Sequence, residues 1–166
     1  MNDTAMIAFL PANGSWVKQD FPHMTLIFNG PIEGREMTEF NEMGKDAITA
    51  ARTMGSFSLN TIGVEQLGDN GEEVDALILY PTPQLLVARS FVEKWNKSEN
   101  SDFKPYVTIG PAGAAYVDQV PVRTNSDYSY KDPRESSQLP NNVYFDRLAI
   151  CWGDKRLIFS LSSLDY

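Results

Sequence analysis

Apolar and polar residues alternate along most of this chain with a period that identifies strands and helices. Short apolar or alternating runs that end at Gly, Pro or Asn are typical of β-strands. Such runs lie at Met6–Pro11, His23–Gly30, Ser56–Val64, Glu73–Pro81 and Phe103–Pro111. Near the C-terminus, two further runs flank Gly153-Asp154, and this pattern predicts a β-hairpin with a two-residue turn.

Two segments have the helical period instead. Arg35–Met54 carries apolar residues at helical spacing with charged residues between them, at Met37, Phe40, Ala47, Ala51 and Met54. Thr82-Pro83 places a capping residue before a proline, which is a typical helix start. The helix predicted after it has one apolar stripe, formed by Leu85, Ala88, Val92 and Trp95.

The predicted order is β-β-α-β-β-α-β, followed by a loop and the hairpin, which indicates an α+β fold. Two comparable units follow one another, each with strands and a helix, and this repeat favours two lobes. The polar stretch 112–142 is long for a loop of a compact domain, and loops of this length are usually functional or mobile. No linker divides the chain, so residues 1–166 are predicted to form a single domain.

The strongest candidate for chemistry is a pattern that occurs twice, about half the chain apart. The first copy is F-P-H-M-T-L-I-F-N-G from Phe21, and the second is F-K-P-Y-V-T-I-G-P from Phe103. Residues i and i+2 of a strand share a face, so His23 pairs with Thr25, and Tyr106 with Thr108. Met24, Leu26 and Phe28 are then expected to face the core. If the lobes face each other, the four polar side chains converge in one groove.

These residue types suit phosphate chemistry, because hydroxyls donate hydrogen bonds to phosphate oxygens and imidazole transfers protons near neutral pH. Each residue also has a simpler interpretation: His23 as a structural histidine and Tyr106 as a core or rim aromatic. Lys104 would offset phosphate charge or be a solvated lysine. Tyr144 and Trp152, which the alternation places on one face, would stack on a base, although a core role suits Trp152 better.

The composition of the chain limits the classes of ligand and metal site that we expect. The 166 residues are 42% hydrophobic and 22% charged, with a formal net charge of −8. This acidic balance favours a small ligand over long duplex nucleic acid, which usually requires a basic surface. One cysteine and one histidine give neither a disulfide nor a zinc site. No apolar run is long enough to span a membrane, and the N-terminus does not resemble a signal peptide, so we expect a cytoplasmic protein.

The two motifs resemble those of the 2H phosphoesterase superfamily, whose pattern is two His-x-Thr motifs, commonly Pro-His-apolar-Thr-Leu. The superfamily includes bacterial RNA 2′,3′-cyclic phosphodiesterases and phage enzymes that cleave cyclic oligonucleotide signals, so a phage origin is an expectation by analogy. The resemblance implies a bilobal α+β fold, with two antiparallel-sheet lobes, helices outside and a central groove. Relative to compact members of the superfamily, the stretch 112–142 looks like an insertion. It also implies metal-independent hydrolysis of a small cyclic phosphodiester, without a cofactor. The implied ligand is a small nucleotide, a cyclic (oligo)nucleotide or an RNA end.

Carried over by residue, the resemblance implies catalytic roles for His23 and Tyr106 and phosphate binding by Thr25 and Thr108. Lys104, Tyr144 and Trp152 are accessory candidates. Tyr106 stands where the family pattern has its second histidine. A phenol ordinarily has a pKa near 10 and is a poor base, but it can donate a proton. Three alternatives follow: an altered or slowed enzyme, a protein that sequesters a cyclic nucleotide, or a structural or interaction protein that retains the fold.

Overall fold

A computed structural model describes residues 3–98, 103–114, 122–124, 127–129 and 139–163 of the chain. The larger strands are β1 (Thr4–Pro11), β2 (Met24–Pro31), β3 (Phe57–Leu67), β4 (Val74–Leu79), β5 (Tyr106–Pro111), β8 (Asn142–Trp152) and β9 (Lys155–Ser160). Between β5 and β8 lie two short strands, β6 (Val122–Thr124) and β7 (Asp127–Ser129). The helices are α1 (Met37–Met54) and α2 (Pro83–Ser90). None of the described helices is long and apolar enough to cross a lipid bilayer.

The seven larger strands pair antiparallel in the order β1-β2-β5-β4-β3-β8-β9, and β1 also pairs with β8. One lobe is formed by β2, β1, β8 and β9, and the other by β5, β4 and β3. Two junctions join the lobes: β2 meets β5 at one residue pair, and β3 meets the first four residues of β8. The predicted α+β fold with two antiparallel lobes is therefore confirmed, with the lobes continuous through the shared strand β8.

Both helices pack on one face of this sheet, and their boundaries follow local sequence. The Thr82 hydroxyl accepts a hydrogen bond from the Leu85 N–H at 3.2 Å, which caps α2 as the Thr-Pro pair predicted. The apolar stripe continues beyond Ser90, where α2 ends, into a 3-10 turn at Glu93–Trp95. Along α1 the stripe is buried except at Met37, the first helical residue, which is 48% exposed.

β-Bulges interrupt both motif strands directly after the motif threonine. In β2, Thr25 pairs with Ala8 and Ile27 with Ile7, so Leu26 is the extra residue. In β5, Thr108 pairs with Ala76 and Gly110 with Asp75, which leaves Ile109 as the extra residue. Both bulged residues are buried, at 1% and 0% exposure. The sequence repeat therefore corresponds to a repeat in backbone geometry.

The expectation that Phe28 faces the core is wrong. Because a bulge adds one residue, it reverses the alternation of faces after it. Leu26 and Ile27 are both buried, and Phe28 then emerges on the opposite face from Met24, with 39% of its surface exposed. Phe28 thus shares a face with Thr25 rather than with the core.

The predicted insertion at 112–142 lies mostly outside the described residues. Within it, the structure describes 112–114, the strands β6 and β7, which pair antiparallel, and 139–142. That this segment is an insertion therefore stays a sequence-based prediction.

Candidate functional site

The two motifs meet at the junction of β2 and β5, where Met24 pairs with Val107. Both of these side chains are fully buried in the core. Their neighbours along each strand must point to the opposite face, because side chains alternate. In an antiparallel pair this register sets Thr25 beside Tyr106 and His23 beside Thr108. All four are half-buried, so the structure brings the four predicted residues together on one partly open face.

His23 is held in one orientation by the backbone before it. Its Nδ1 lies 2.7 Å from the Phe21 carbonyl oxygen, and since a carbonyl only accepts, Nδ1 donates the hydrogen bond. The other ring nitrogen, Nε2, then carries no proton in the neutral imidazole. Phe21 has φ 58°, a left-handed conformation that non-glycine residues rarely adopt, and this turns its carbonyl toward the ring. Such backbone strain is frequent at functional sites.

The charge state of His23 is set by burial. Burial lowers the pKa of the imidazole below its usual value of 6.5, the hydrogen bond to the Phe21 carbonyl partly opposes this, and the Arg156 guanidinium lowers it further. The imidazole is therefore mostly neutral at pH 7. A neutral imidazole with a free Nε2 is the form that accepts a proton.

The loop that carries His23 is fastened to the second motif strand. The Lys18 N–H donates a hydrogen bond to the carbonyl of the bulged Ile109 at 2.5 Å. Gly110 allows this close approach, since a Cβ there would lie 2.9 Å from the Ala114 Cβ and 3.2 Å from the Lys18 Cβ. The loop from β1 to β2 thus links His23 to the opposite lobe.

Arg89 donates a hydrogen bond to the backbone at the other bulge, a role that sequence reasoning missed. Its Nε donates to the carbonyl of Leu26 at 3.2 Å, while its guanidinium carbon lies 4.6 Å from the Phe103 ring centroid. Glu93 lies 3.6 Å from Arg89 and forms an ion pair with it. The side chain of Arg89 is only 11% exposed. Only the bulge at Leu26 exposes the carbonyl that Arg89 binds, and a bulge cannot be read from the spacing of residues.

A cavity of about 500 Å³ opens where β2 and the residues before β5 diverge. It is lined by Thr25, Leu26, Ile27, Phe28, Leu67, Gly68, Arg89, Asn96, Ser98, Phe103, Lys104 and Tyr106. Thr25 and Tyr106 belong to this lining, whereas His23 and Thr108 lie outside it. The cavity therefore extends from one half of the site and not from its centre.

Of the accessory candidates, Lys104 lines the cavity and forms an ion pair with Glu65. Tyr144 is 49% exposed and does not line this cavity. The prediction that it shares a face with Trp152 is wrong, because Asp146 forms a bulge in β8 opposite Leu10 and Pro11 of β1.

The core role of Trp152 is confirmed. Only 7% of the residue is exposed, its ring centroid lies 5.5 Å from that of Phe40, and the Arg35 guanidinium carbon lies 4.9 Å from it. Trp152 therefore packs on the helix side of the sheet.

A small apolar cluster forms the surface beside His23. Leu10, Ala149 and Cys151 are buried there, and Phe21 packs against them. Cys151 is fully buried, and this burial raises the pKa of its thiol. In the described part of the chain, no three His, Cys, Asp or Glu side chains are grouped so that they could hold a metal ion.

No protein-family model matches the sequence, and no curated protein has significant sequence similarity to it. Solved structures do match. Usb1 of Kluyveromyces marxianus is 12% identical with a TM-score of 0.59, and the match covers 96% of this chain and 98% of that one. TT0787 of Thermus thermophilus is 18% identical with a TM-score of 0.53 and the same coverage. Escherichia coli LigT, in a complex with NADP+, is 13% identical with a TM-score of 0.50, covering 98% and 99%.

These three proteins are 2H phosphoesterases, and each match extends over nearly the whole of both chains. The element order is the one that the sequence pattern predicted, and the two antiparallel lobes are what the resemblance implied. The chain therefore has the fold of the 2H phosphoesterase superfamily.

Proposed function

We propose that this chain, as one domain, is a phosphodiesterase that hydrolyses a small cyclic phosphodiester in the groove between its lobes. The substrate class is a 2′,3′-cyclic phosphate or a cyclic oligonucleotide, and the reaction needs no metal. One observation carries the proposal: the pairing of Met24 with Val107 sets an imidazole, a phenol and two threonine hydroxyls on one face. These groups suffice for positioning a phosphate and for moving protons.

The proposed reaction assigns a direction to each proton. His23 Nε2 removes a proton from a water molecule, and the resulting oxygen attacks phosphorus. The bond from phosphorus to the leaving ester oxygen breaks, and the Tyr106 hydroxyl donates its proton to that oxygen. Solvent then returns a proton to Tyr106 and takes one from His23. Thr25 and Thr108 donate hydrogen bonds to the non-bridging oxygens, where negative charge increases in the transition state.

The cavity beside Thr25 and Tyr106 is proposed to hold the nucleoside part of the ligand. Its volume of about 500 Å³ suits a small organic ligand. Phe28 and Phe103 present aromatic rings to it, and bases stack on such rings. Usb1 with uridine monophosphate matches this chain with a TM-score of 0.60, and LigT with NADP+ at 0.50, which supports a nucleotide as the ligand.

Tyr106 favours one alternative, a protein that binds a cyclic nucleotide without cleaving it. A phenol in place of a second imidazole can still donate a hydrogen bond, but it is a poor proton acceptor. Such a site would retain affinity and lose turnover. A single incubation experiment separates hydrolysis from binding without cleavage.

Purified protein is incubated with 2′,3′-cyclic mononucleotides and cyclic di- and trinucleotides, with and without EDTA. Mass spectrometry then measures the free and the protein-bound pools. A new linear phosphate, formed equally in EDTA and lost in His23→Ala, is the expected result. Intact nucleotide retained on the protein would favour sequestration. If neither product nor bound nucleotide is detected, both proposed functions are contradicted. Tyr106→Phe should also form less product, and Tyr80→Phe, at a tyrosine that is 55% exposed outside the site, is its matched control.

A further inference from the structure

Arg156 holds a positive charge beside the proposed base. It pairs across the hairpin with Cys151, so it projects on the same face as the apolar cluster under Phe21. The guanidinium carbon lies 3.9 Å from the Phe21 ring centroid, and that centroid lies 5.1 Å from the centroid of the His23 ring. Together these two distances place the guanidinium carbon at most about 9 Å from the imidazole.

The charge of Arg156 is not balanced as those of the other cations near the site are. Arg89 is paired with Glu93, and Lys104 with Glu65. Among the described residues, no carboxylate forms an ion pair with Arg156. Its guanidinium carbon lies over the Phe21 ring and the residue is exposed. Among the described residues none accepts a hydrogen bond from it, so its N–H groups are available. An exposed guanidinium edge of this kind binds phosphate oxygens in pairs.

Arg156 is too far along the sheet to belong to the reacting centre itself. It lies on β9, which is separated from the motif strand β2 by β8 and β1. Neighbouring strands are about 4.8 Å apart, so the backbones of β9 and β2 are separated by about 14 Å. The side chain recovers part of this separation by lying over Phe21. Its charge therefore lies next to the proposed reacting phosphate and not at it.

We propose that Arg156 binds a second phosphate of the substrate, one nucleotide away from the phosphate held by the two threonines. The substrate is then an oligonucleotide with at least two phosphates rather than a cyclic mononucleotide. This inference rests on the proposed function for the position of the first phosphate. It narrows the proposed substrates to those that carry more than one phosphate, which excludes cyclic mononucleotides.

The test compares two ligands that differ by one phosphate, uridine 3′-monophosphate and uridine 3′,5′-bisphosphate. Binding is followed through the imidazole C2–H signal in proton NMR, which needs no assignment because the chain has one histidine. We expect the protein to bind the bisphosphate on the order of tenfold more tightly than the monophosphate. The second phosphate adds charge-assisted hydrogen bonds to Arg156, whose free energy corresponds to about that ratio of affinities. Arg156→Gln should abolish this preference, because it weakens binding of the bisphosphate far more than binding of the monophosphate.

Lys155→Gln is the matched control. Lys155 is the preceding residue on β9 and carries the same charge, but its Nζ lies 5.5 Å from the Phe40 ring centroid on the helix side of the sheet. The preference should persist in this variant. Thermal unfolding of each variant confirms that the fold is retained.

The inference is overturned if the protein does not distinguish the two ligands, if it binds neither, or if the preference survives in Arg156→Gln. It is also overturned if Lys155→Gln loses the preference equally, because the effect would then be one of total charge. Turnover is measured separately with cyclic substrates. A preference without turnover would contradict the hydrolase and keep the second phosphate site, so the two failures are distinguishable.

Discussion

The contact of the His23 loop with β5 leads to a prediction about stability at Gly110. In Gly110→Ala the added methyl group would lie 2.9 Å from the Ala114 Cβ, 3.2 Å from the Lys18 Cβ and 3.4 Å from the Lys18 carbonyl oxygen. Lys18 cannot move away freely, because its N–H is bonded to the Ile109 carbonyl. Overpacking of this kind costs about 1–3 kcal/mol. For a domain of this size the loss corresponds to about 2–12 °C in Tm.

Gly44→Ala is the matched control, since the same methyl group is added where space exists. At Gly44, within α1, a Cβ would lie 3.7 Å from the Ile150 Cδ1, which is an ordinary contact. Alanine is favoured over glycine in a helix by about 1 kcal/mol, so this variant should be more stable by about 2–4 °C. Circular dichroism during thermal and urea unfolding measures both variants.

The same strain should reach the site, because the displaced loop carries His23. We expect Gly110→Ala to reduce turnover of a cyclic substrate at temperatures where the protein is fully folded. If Gly110→Ala has the same Tm as the wild-type protein, the packing argument is refuted. A destabilised variant with full activity would instead show that the loop contact does not position His23.

Four further predictions concern the residues of the proposed site. Tyr106→Phe should lower kcat by about 10²- to 10⁴-fold, and Tyr106→His should raise it above wild type; an unchanged rate in both variants would exclude a proton-transfer role. Because burial, and then Arg156, lower the pKa of His23, the acid limb of kcat/KM against pH should have an apparent pKa below 6.5, and a limb above that value would contradict a neutral base. Because the pKa of His23 is lower in the folded than in the unfolded state, its contribution to the free energy of unfolding is fully present above pH 6.5 and is lost as the pH falls through the folded-state pKa. Urea unfolding measured at several pH values would detect this loss. Thr25→Val and Thr108→Val should each reduce kcat/KM on the order of tenfold or more, and a loss confined to one of them would contradict the paired phosphate-binding roles.

Local chemistry was readable from the sequence wherever neighbouring residues alone decide the structure. The Thr82-Pro83 pair begins α2, and Gly153-Asp154 forms the two-residue turn between β8 and β9, with Gly153 at φ 63°. Alternation placed His23 with Thr25 on one face of β2. In each case the interaction spans only a few residues of chain.

The errors share one cause, which is the β-bulge. Phe28 follows the bulge at Leu26, and Trp152 follows the bulge at Asp146, so both lie on the opposite face from the one that alternation predicts. A bulge is defined by two strands, since it exists only where one strand has a residue more than its partner. The pattern along a single strand therefore does not contain it.

The sequence by itself determined the two motif strands, the helices behind them and the side chains that each motif presents, because these depend on period and local geometry. Only the tertiary structure decided that β2 and β5 are neighbours, so that Thr25 lies beside Tyr106 and His23 beside Thr108. It also brought in Arg156, far from either motif along the chain, through the packing of Phe21 on the apolar cluster beside His23. Pairing between distant strands depends on the total burial of the core, and no local pattern records it.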